Sequence, residues 1–151
     1  SGLITSGVYK AYETGAFLTN SITAMPSSGF VRTKVVSDKS PWLALSKVDE
    51  VYTAPVYHHK SRFVADEVTM LSLINNNQIS TQYIDKNNKP AAKMPYNPDS
   101  SICAVESLCS PDGNIYGKIS QPQRRTIGCF TNISGNKDQR IFEAGINYFK
   151  D

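Results

Sequence analysis

The clearest signal along the chain is the alternation of apolar and polar side chains in Phe30-Val31-Arg32-Thr33-Lys34-Val35-Val36. That period of two marks a half-buried strand. Val51–His58 and Gln78–Ile84 predict two more strands, with Asp85-Lys86-Asn87-Asn88 as a turn after the second. Ile102–Cys109 and Ile115–Ser120 predict a hairpin across Pro111-Asp112-Gly113-Asn114, whose residues supply turn geometry. Helical spacing replaces alternation in two places. Asp66 is expected to cap a helix running to about Asn75, with Val64, Val68 and Leu71 as its apolar set. Asn75-Asn76-Asn77 ends it, since asparagine tolerates the left-handed cap conformation. Gly135 to Asp138 opens a final amphipathic helix, Gln139 to Lys150, whose Ile141, Phe142, Gly145, Ile146 and Phe149 share one apolar side. Ser40-Pro41-Trp42-Leu43 fits a short helix with serine at the cap and proline at the first helical position.

The first thirty residues are the least regular. Leu3 to Tyr12 fits the end of a helix broken by Gly7 and Gly15, and Ala24 to Gly29 is loop chemistry. No internal repeat or low-complexity tract is present. The pattern is α/β, with strands paired both in hairpins and through helices.

Length and composition narrow the class. A chain of 151 residues suits a single domain. A net charge of +3 with scattered basic residues gives no argument for nucleic acid. No stretch approaches the ~20 apolar residues of a membrane helix. Three cysteines, Cys103, Cys109 and Cys129, cannot all pair, which favours a reducing cytosol. Ser1-Gly2-Leu3-Ile4 has no signal-peptide pattern and no initiating methionine, as a processed or excised end would look. A cytoplasmic protein is expected.

Few residues announce chemistry on their own. His58 and His59 are adjacent in a strand and so point to opposite faces, which excludes a shared ligand. Cys103 and Cys109 fall on one face if their strand is regular, too far apart to bridge. No Cys-x-x-Cys or His-x-x-His spacing supports a metal site, so none is expected. Arg124-Arg125 fits a solvated pair better than a phosphate site. Trp42 reads as a core anchor. Glu106, in an apolar strand, is the one buried acid to watch, with an arginine as its expected partner.

Several segments together resemble a known family. "VRTKVVSDKSPWL", "RFVADEVTMLSLINNNQISTQYID", "YNP", "SPDGNIYGK" and "GNKDQRIFEAGINYF" resemble the C-terminal class I glutamine amidotransferase region of phosphoribosylformylglycinamidine synthase. The likeness runs from about Leu3 to Phe149 with elements in the family's order. It implies a flavodoxin-like mixed sheet with flanking helices, a partial amidotransferase domain spanning residues 1–151. The family's first strands and nucleophile elbow lie upstream of the segment that Ser1-Gly2-Leu3-Ile4 resembles.

The resemblance also assigns site positions. The family hydrolyses glutamine with a Cys–His–Glu triad and passes ammonia to a synthetase part that uses ATP and Mg. The triad His and Glu lie two apart after the last core strand, and this chain has Gln121 and Gln123 there. The carboxyl end of a strand is a usual place for catalytic groups in α/β sheets, so two neutral amides are unexpected. Gln121 cannot exchange a proton near neutral pH, and Gln123 has no charge to steady an imidazolium. No Gly-x-Cys-x-Gly is present, and Cys129, in Gly128-Cys129-Phe130, falls in a variable loop. The family's His-Gly-Glu-Gly-Arg-Phe becomes His58-His59-Lys60-Ser61-Arg62-Phe63, and Asn-Pro-Asn-Gly-Ser becomes Asn97-Pro98-Asp99-Ser100-Ser101. The carried-over substrate-binding candidates are His58, Arg62 and Asn97.

These changes leave two function classes. One is the glutaminase region of the synthase, with its nucleophile further upstream and this chain inactive by itself. The other is a non-catalytic amidotransferase-like module acting as a scaffold or binding unit. A pocket without its glycines is expected to hold glutamine poorly. The end of the Ile115 strand is expected near the His58–Phe63 segment. An open central edge is expected to be covered by another copy, by the rest of a parent chain, or by a segment drawn from Leu3 to Leu18. A partner surface, the synthetase part or another protein, is favoured, because Gly7, Gly15 and short apolar runs give that segment little strand character.

Overall fold

A computed structural model of the chain describes residues 15–20, 27–58, 60–124, 128 and 130–150. The helix expected over Leu3 to Tyr12 lies outside these residues. The elements in chain order are β1 (Ala16–Asn20), β2 (Ser27–Val35), β3 (Val51–His58), β4 (Lys60–Ala65), α1 (Glu67–Asn75), β5 (Ile79–Tyr83), β6 (Val105–Cys109), β7 (Tyr116–Lys118) and α2 (Ile141–Phe149). Five strands form one sheet in the order β3-β2-β5-β6-β7, while β1 and β4 form a separate two-stranded ribbon. Every described ladder is antiparallel. The longest runs from Ser27↔His58 to Lys34↔Val51.

β1 and β4 are not among the elements the pattern predicts. Val64, counted with the helix, sits in β4 opposite Phe17. Gly15 makes the ribbon possible. Its φ is +62°, and a Cβ there would lie 1.6 Å from the Asp66 carboxylate, so only glycine lets β1 start against the end of β4. The Asp66 amide then donates to the Gly15 carbonyl at 3.0 Å.

Asp66 caps α1 as expected, accepting the Thr69 amide at 2.7 Å. Those hydrogen bonds hold its carboxyl below the ordinary range. Asn77 takes the expected left-handed conformation at φ 53°. The buried face is a correction: Met70 and Leu73 point inward, onto Phe63, Ala65, Ile79, Val105 and Leu108. Val68, Leu71 and Ile74 are 80%, 52% and 50% exposed. The cap and β4 fix the helix's rotation, so an apolar stripe faces out.

α2 keeps part of its predicted face, Ile141 and Gly145, and loses the rest. It begins at Ile141, after Arg140 in the left-handed conformation, and buries Ile141, Ala144 and Gly145. Phe142, Ile146 and Phe149 are exposed. The small residues decide the face, because an added Cβ on Gly145 would come within 2.3 Å of the Trp42 ring. Trp42 is an anchor, as read, packed with Val35, Leu43, Tyr52 and Ile141.

Three boundaries also differ. Ile102–Ala104 is a 3-10 turn rather than strand, with Cys103 and Ala104 at φ 49° and 56°. Cys103 is therefore exposed while Cys109 is buried, not side by side on one face. Ser40 does not cap Pro41–Leu43; its hydroxyl donates to the Gly113 carbonyl at 2.7 Å. Trp42 Nε1 reaches the next carbonyl, Asn114, also at 2.7 Å. The tip of the β6–β7 hairpin is thus gripped from the far end of β2. On the opposite side, the outer edge of β3 is met by the chain itself: the Thr53 amide donates to Asn136 and the Gln121 amide to Pro55.

Candidate functional site

The β7 end is held from below by a buried acid. Glu106 on β6 is fully buried, and its carboxylate accepts the Ser120 amide at 2.7 Å, the Thr81 hydroxyl, and Lys118 Nζ at 2.5 Å. The partner is a lysine, not the expected arginine. Lys118 stands on the paired strand opposite Ser107, the neighbour of Glu106, and its long side chain reaches the carboxylate. Burial pushes the carboxyl pKa up, but the Lys118 charge and the three donors outweigh it and hold the group below the ordinary glutamate value. Burial, with Glu106 nearby, raises the pKa of both Tyr83 and Tyr116.

From Ser120 the chain turns into Pro122–Arg124, a single 3-10 turn. The Gln121 amide N–H donates to Pro55 O at 2.8 Å and its side-chain Nε2 to Tyr57 O at 3.2 Å. Arg124 lies 5.2 Å above the Tyr57 ring. Gln121 is therefore stitched to the end of β3, one residue from His58, which closes that strand opposite Ser27. Gln123 is exposed.

Arg62 and Asn97 belong to a second grouping. Arg62 Nε donates to Ser100 O at 3.4 Å. Asn97 is fully buried, and its amide is committed to its own loop: Nδ2 donates to Ala91 O and Ser101 O at 2.9 Å, and Oδ1 accepts the Ser101 amide at 3.0 Å. Ser101 Oγ accepts the Phe63 amide at 3.0 Å, so the loop docks on β4. Arg62, Gln82, Ser100 and Cys103 line a cavity of about 540 Å³ here. The hydrogen bonds of Gln121 go to β3, and those of Arg62 and Asn97 to this loop. The His58 side chain, His59, Arg125 and Cys129 lie outside the described residues.

The side chains of Gln121 and Gln123 are amides, which neither take up nor give a proton near neutral pH. Among the described residues no cluster of three His, Cys, Asp or Glu side chains could hold a metal ion, and no helix is long and apolar enough to cross a membrane.

The α/β fold, with the chain after β7 carried beside the end of β3, is that of an amidotransferase-type domain. The chain belongs to the CobB/CobQ-like glutamine amidotransferase domain family, which it matches over residues 2–149. Among similar proteins is phosphoribosylformylglycinamidine synthase subunit PurQ of Methanosarcina barkeri, 27% identical over 119 residues, covering 78% of this chain and 49% of that protein. The PurQ subunit of Methanocaldococcus jannaschii is 28% identical over 145 residues, covering 95% of this chain and 60% of that protein. The chain thus spans about half the length of these relatives. The structure of PurLQS from Thermotoga maritima superposes with a TM-score of 0.67 at 18% identity, covering 97% of this chain and 56% of that one. The family and fold are those the sequence resemblance implied.

Proposed function

We propose that this chain is the amidotransferase-side part of a phosphoribosylformylglycinamidine synthase, serving purine biosynthesis in the cytoplasm beside a synthetase partner. Its own strand end does no glutamine chemistry. The observation that carries the second half is the pair Gln121 and Gln123 at the end of β7, with Gln121 bonded to the end of β3. An amide there can orient a neighbour but cannot take a thiol proton or return one to departing ammonia. A triad that loses one member drops by several orders of magnitude in rate. The names of the relatives support the pathway and the partner, and ATP and Mg belong to the synthetase side of this reading.

The test is a glutaminase assay on the purified chain, alone and with a PurL-type synthetase subunit. No ammonia above a mock purification is expected in either case. Turnover that disappears in Cys129→Ser would sink the inactive reading. The scaffold alternative draws on the exposed apolar stripes of α1 and α2, and co-elution with the synthetase subunit without turnover would favour it.

A further inference from the structure

The last helix carries an apolar stripe that no described element covers. Of the nine residues of α2, Ile141, Ala144 and Gly145 are buried, and the stripe runs beside them. Phe142, Ile146 and Phe149 make it up, 58%, 53% and 52% exposed. Their spacing of four and then three keeps side chains along one seam between paired helices. Trp42 holds the Phe149 ring at 5.7 Å, and Tyr148 meets it edge-on at 4.9 Å. That end of the stripe is therefore set before any partner arrives. A run of exposed apolar side chains of this kind marks a surface for another polypeptide.

The charges beside the stripe say which polypeptide. Glu143 and Lys150 stand seven residues apart, about two helical turns, and so share one flank of the seam. The acid is at the start of the helix and the base at its end. Two copies of α2 laid antiparallel bring each Glu143 level with Lys150 of the second copy, giving two opposite-charge contacts about one twofold axis. A parallel pair would set acid against acid and base against base. In the antiparallel pair Ile146 falls on the axis and meets itself, with Phe142 and Phe149 to either side. Glu143 already accepts two bonds from Arg140, but a carboxylate has about four lone-pair sites and can take a second cation. Lys150 is exposed. α1 has no such pattern, because its stripe of Val68, Leu71 and Ile74 is flanked by Glu67 and no basic residue. We infer that a second copy of this chain covers the α2 stripe, antiparallel, through Phe142, Ile146, Phe149 and the Glu143–Lys150 contacts. Two turns of helix bury less than the ~800 Å² per partner of a tight complex, so the dimer is reversible, with a dissociation constant on the order of 100 μM. The pairing does not depend on whether the chain hydrolyses glutamine.

Sedimentation equilibrium of the purified chain from about 10 μM to about 1 mM, a range that spans this constant, is the test. A monomer–dimer curve is expected. Ile146→Asp sets two carboxylates on the axis and is expected to weaken the dimer at least about a hundredfold. Circular dichroism checks that this variant folds. Glu143→Lys and Lys150→Glu are each expected to weaken the dimer by about tenfold, since two opposite-charge contacts become repulsive. The double change restores both contacts with their signs reversed, and affinity within about threefold of the wild type is expected. If Ile146→Asp fails to fold, the charge series decides. A chain that stays monomeric at millimolar concentration, a folded Ile146→Asp that dimerises like the wild type, or a double change as weak as either single one overturns the inference. So does a monomer whose stripe binds a PurL-type synthetase subunit instead, seen as a complex that Ile146→Asp abolishes.

Discussion

Glu106 and Lys118, on the two strands of one hairpin, form an ion pair of 2.5 Å in which the carboxylate is wholly buried and the lysine side chain is 6% exposed. The same carboxylate holds the Ser120 amide, so it fixes the strand at the point where the chain leaves toward Gln121. Neither residue is replaceable alone.

Removing one partner, by Glu106→Ala or Lys118→Met, should cost about 3–5 kcal/mol, because the other charge is left buried and unpaired. The double change Glu106→Leu with Lys118→Met should cost much less. The pH dependence has a definite sign. The folded carboxyl titrates below its ordinary value of 4.5, so its contribution is present above that pH and is lost as pH falls through the depressed folded value. Urea unfolding across pH 3 to 7, with Glu106→Gln as reference, checks both points.

Gly145→Ala should destabilise by about 1–3 kcal/mol, although alanine is the better helix former by about 1 kcal/mol. The new methyl has nowhere to go but the Trp42 ring. Trp42 is the only tryptophan, so its emission reports the disturbance in the folded state as well as the unfolding midpoint.

On α1, Met70→Ala should cost about 2–5 kcal/mol while Val68→Lys should stay within about 0.5 kcal/mol. Thermal denaturation separates them. If Val68→Lys proves the costlier, the helix is rotated relative to the face described.

Asn97→Ala should lower stability by at least about 1–3 kcal/mol, the cost of one unsatisfied buried group, since three loop hydrogen bonds end on that amide. Hydrogen exchange should show the loss spreading to the Phe63 amide, which depends on the same loop through Ser101.

What was legible follows a physical divide. β2, β3, β5, the hairpin and both helices were readable because alternation, caps and turn residues are local signals. The ribbon β1–β4 was not, because its condition is a long-range one: Gly15 must sit against Asp66. The α1 face, and Phe142 and Ile146 on the α2 face, were misassigned for a related reason. Apolar spacing says where a stripe lies but not whether bulk or smallness wins the buried side, and on α2 the Trp42 ring packs over Gly145, with Phe149 at its rim and Phe142 and Ile146 left outside. Nor does sequence mark the left-handed Cys103 and Ala104, which shorten β6. At the site, Gln121 beside β3 could be expected from the resemblance. The lysine beside Glu106 could not, since which basic side chain reaches that acid is set by strand pairing.

The grip of Ser40 and Trp42 on the hairpin tip bears on how the chain comes together in time. A lone hairpin closes in about 1–10 μs. This one is fastened to partners 73 and 72 residues earlier, so its tip cannot settle until that long loop has closed. Each doubling of such a loop adds only about 0.6 kcal/mol of closure entropy, yet distant pairings of this kind slow folding far more than they weaken the folded state. The turn with the plainest local signature is thereby expected to order late, together with the sheet that surrounds it.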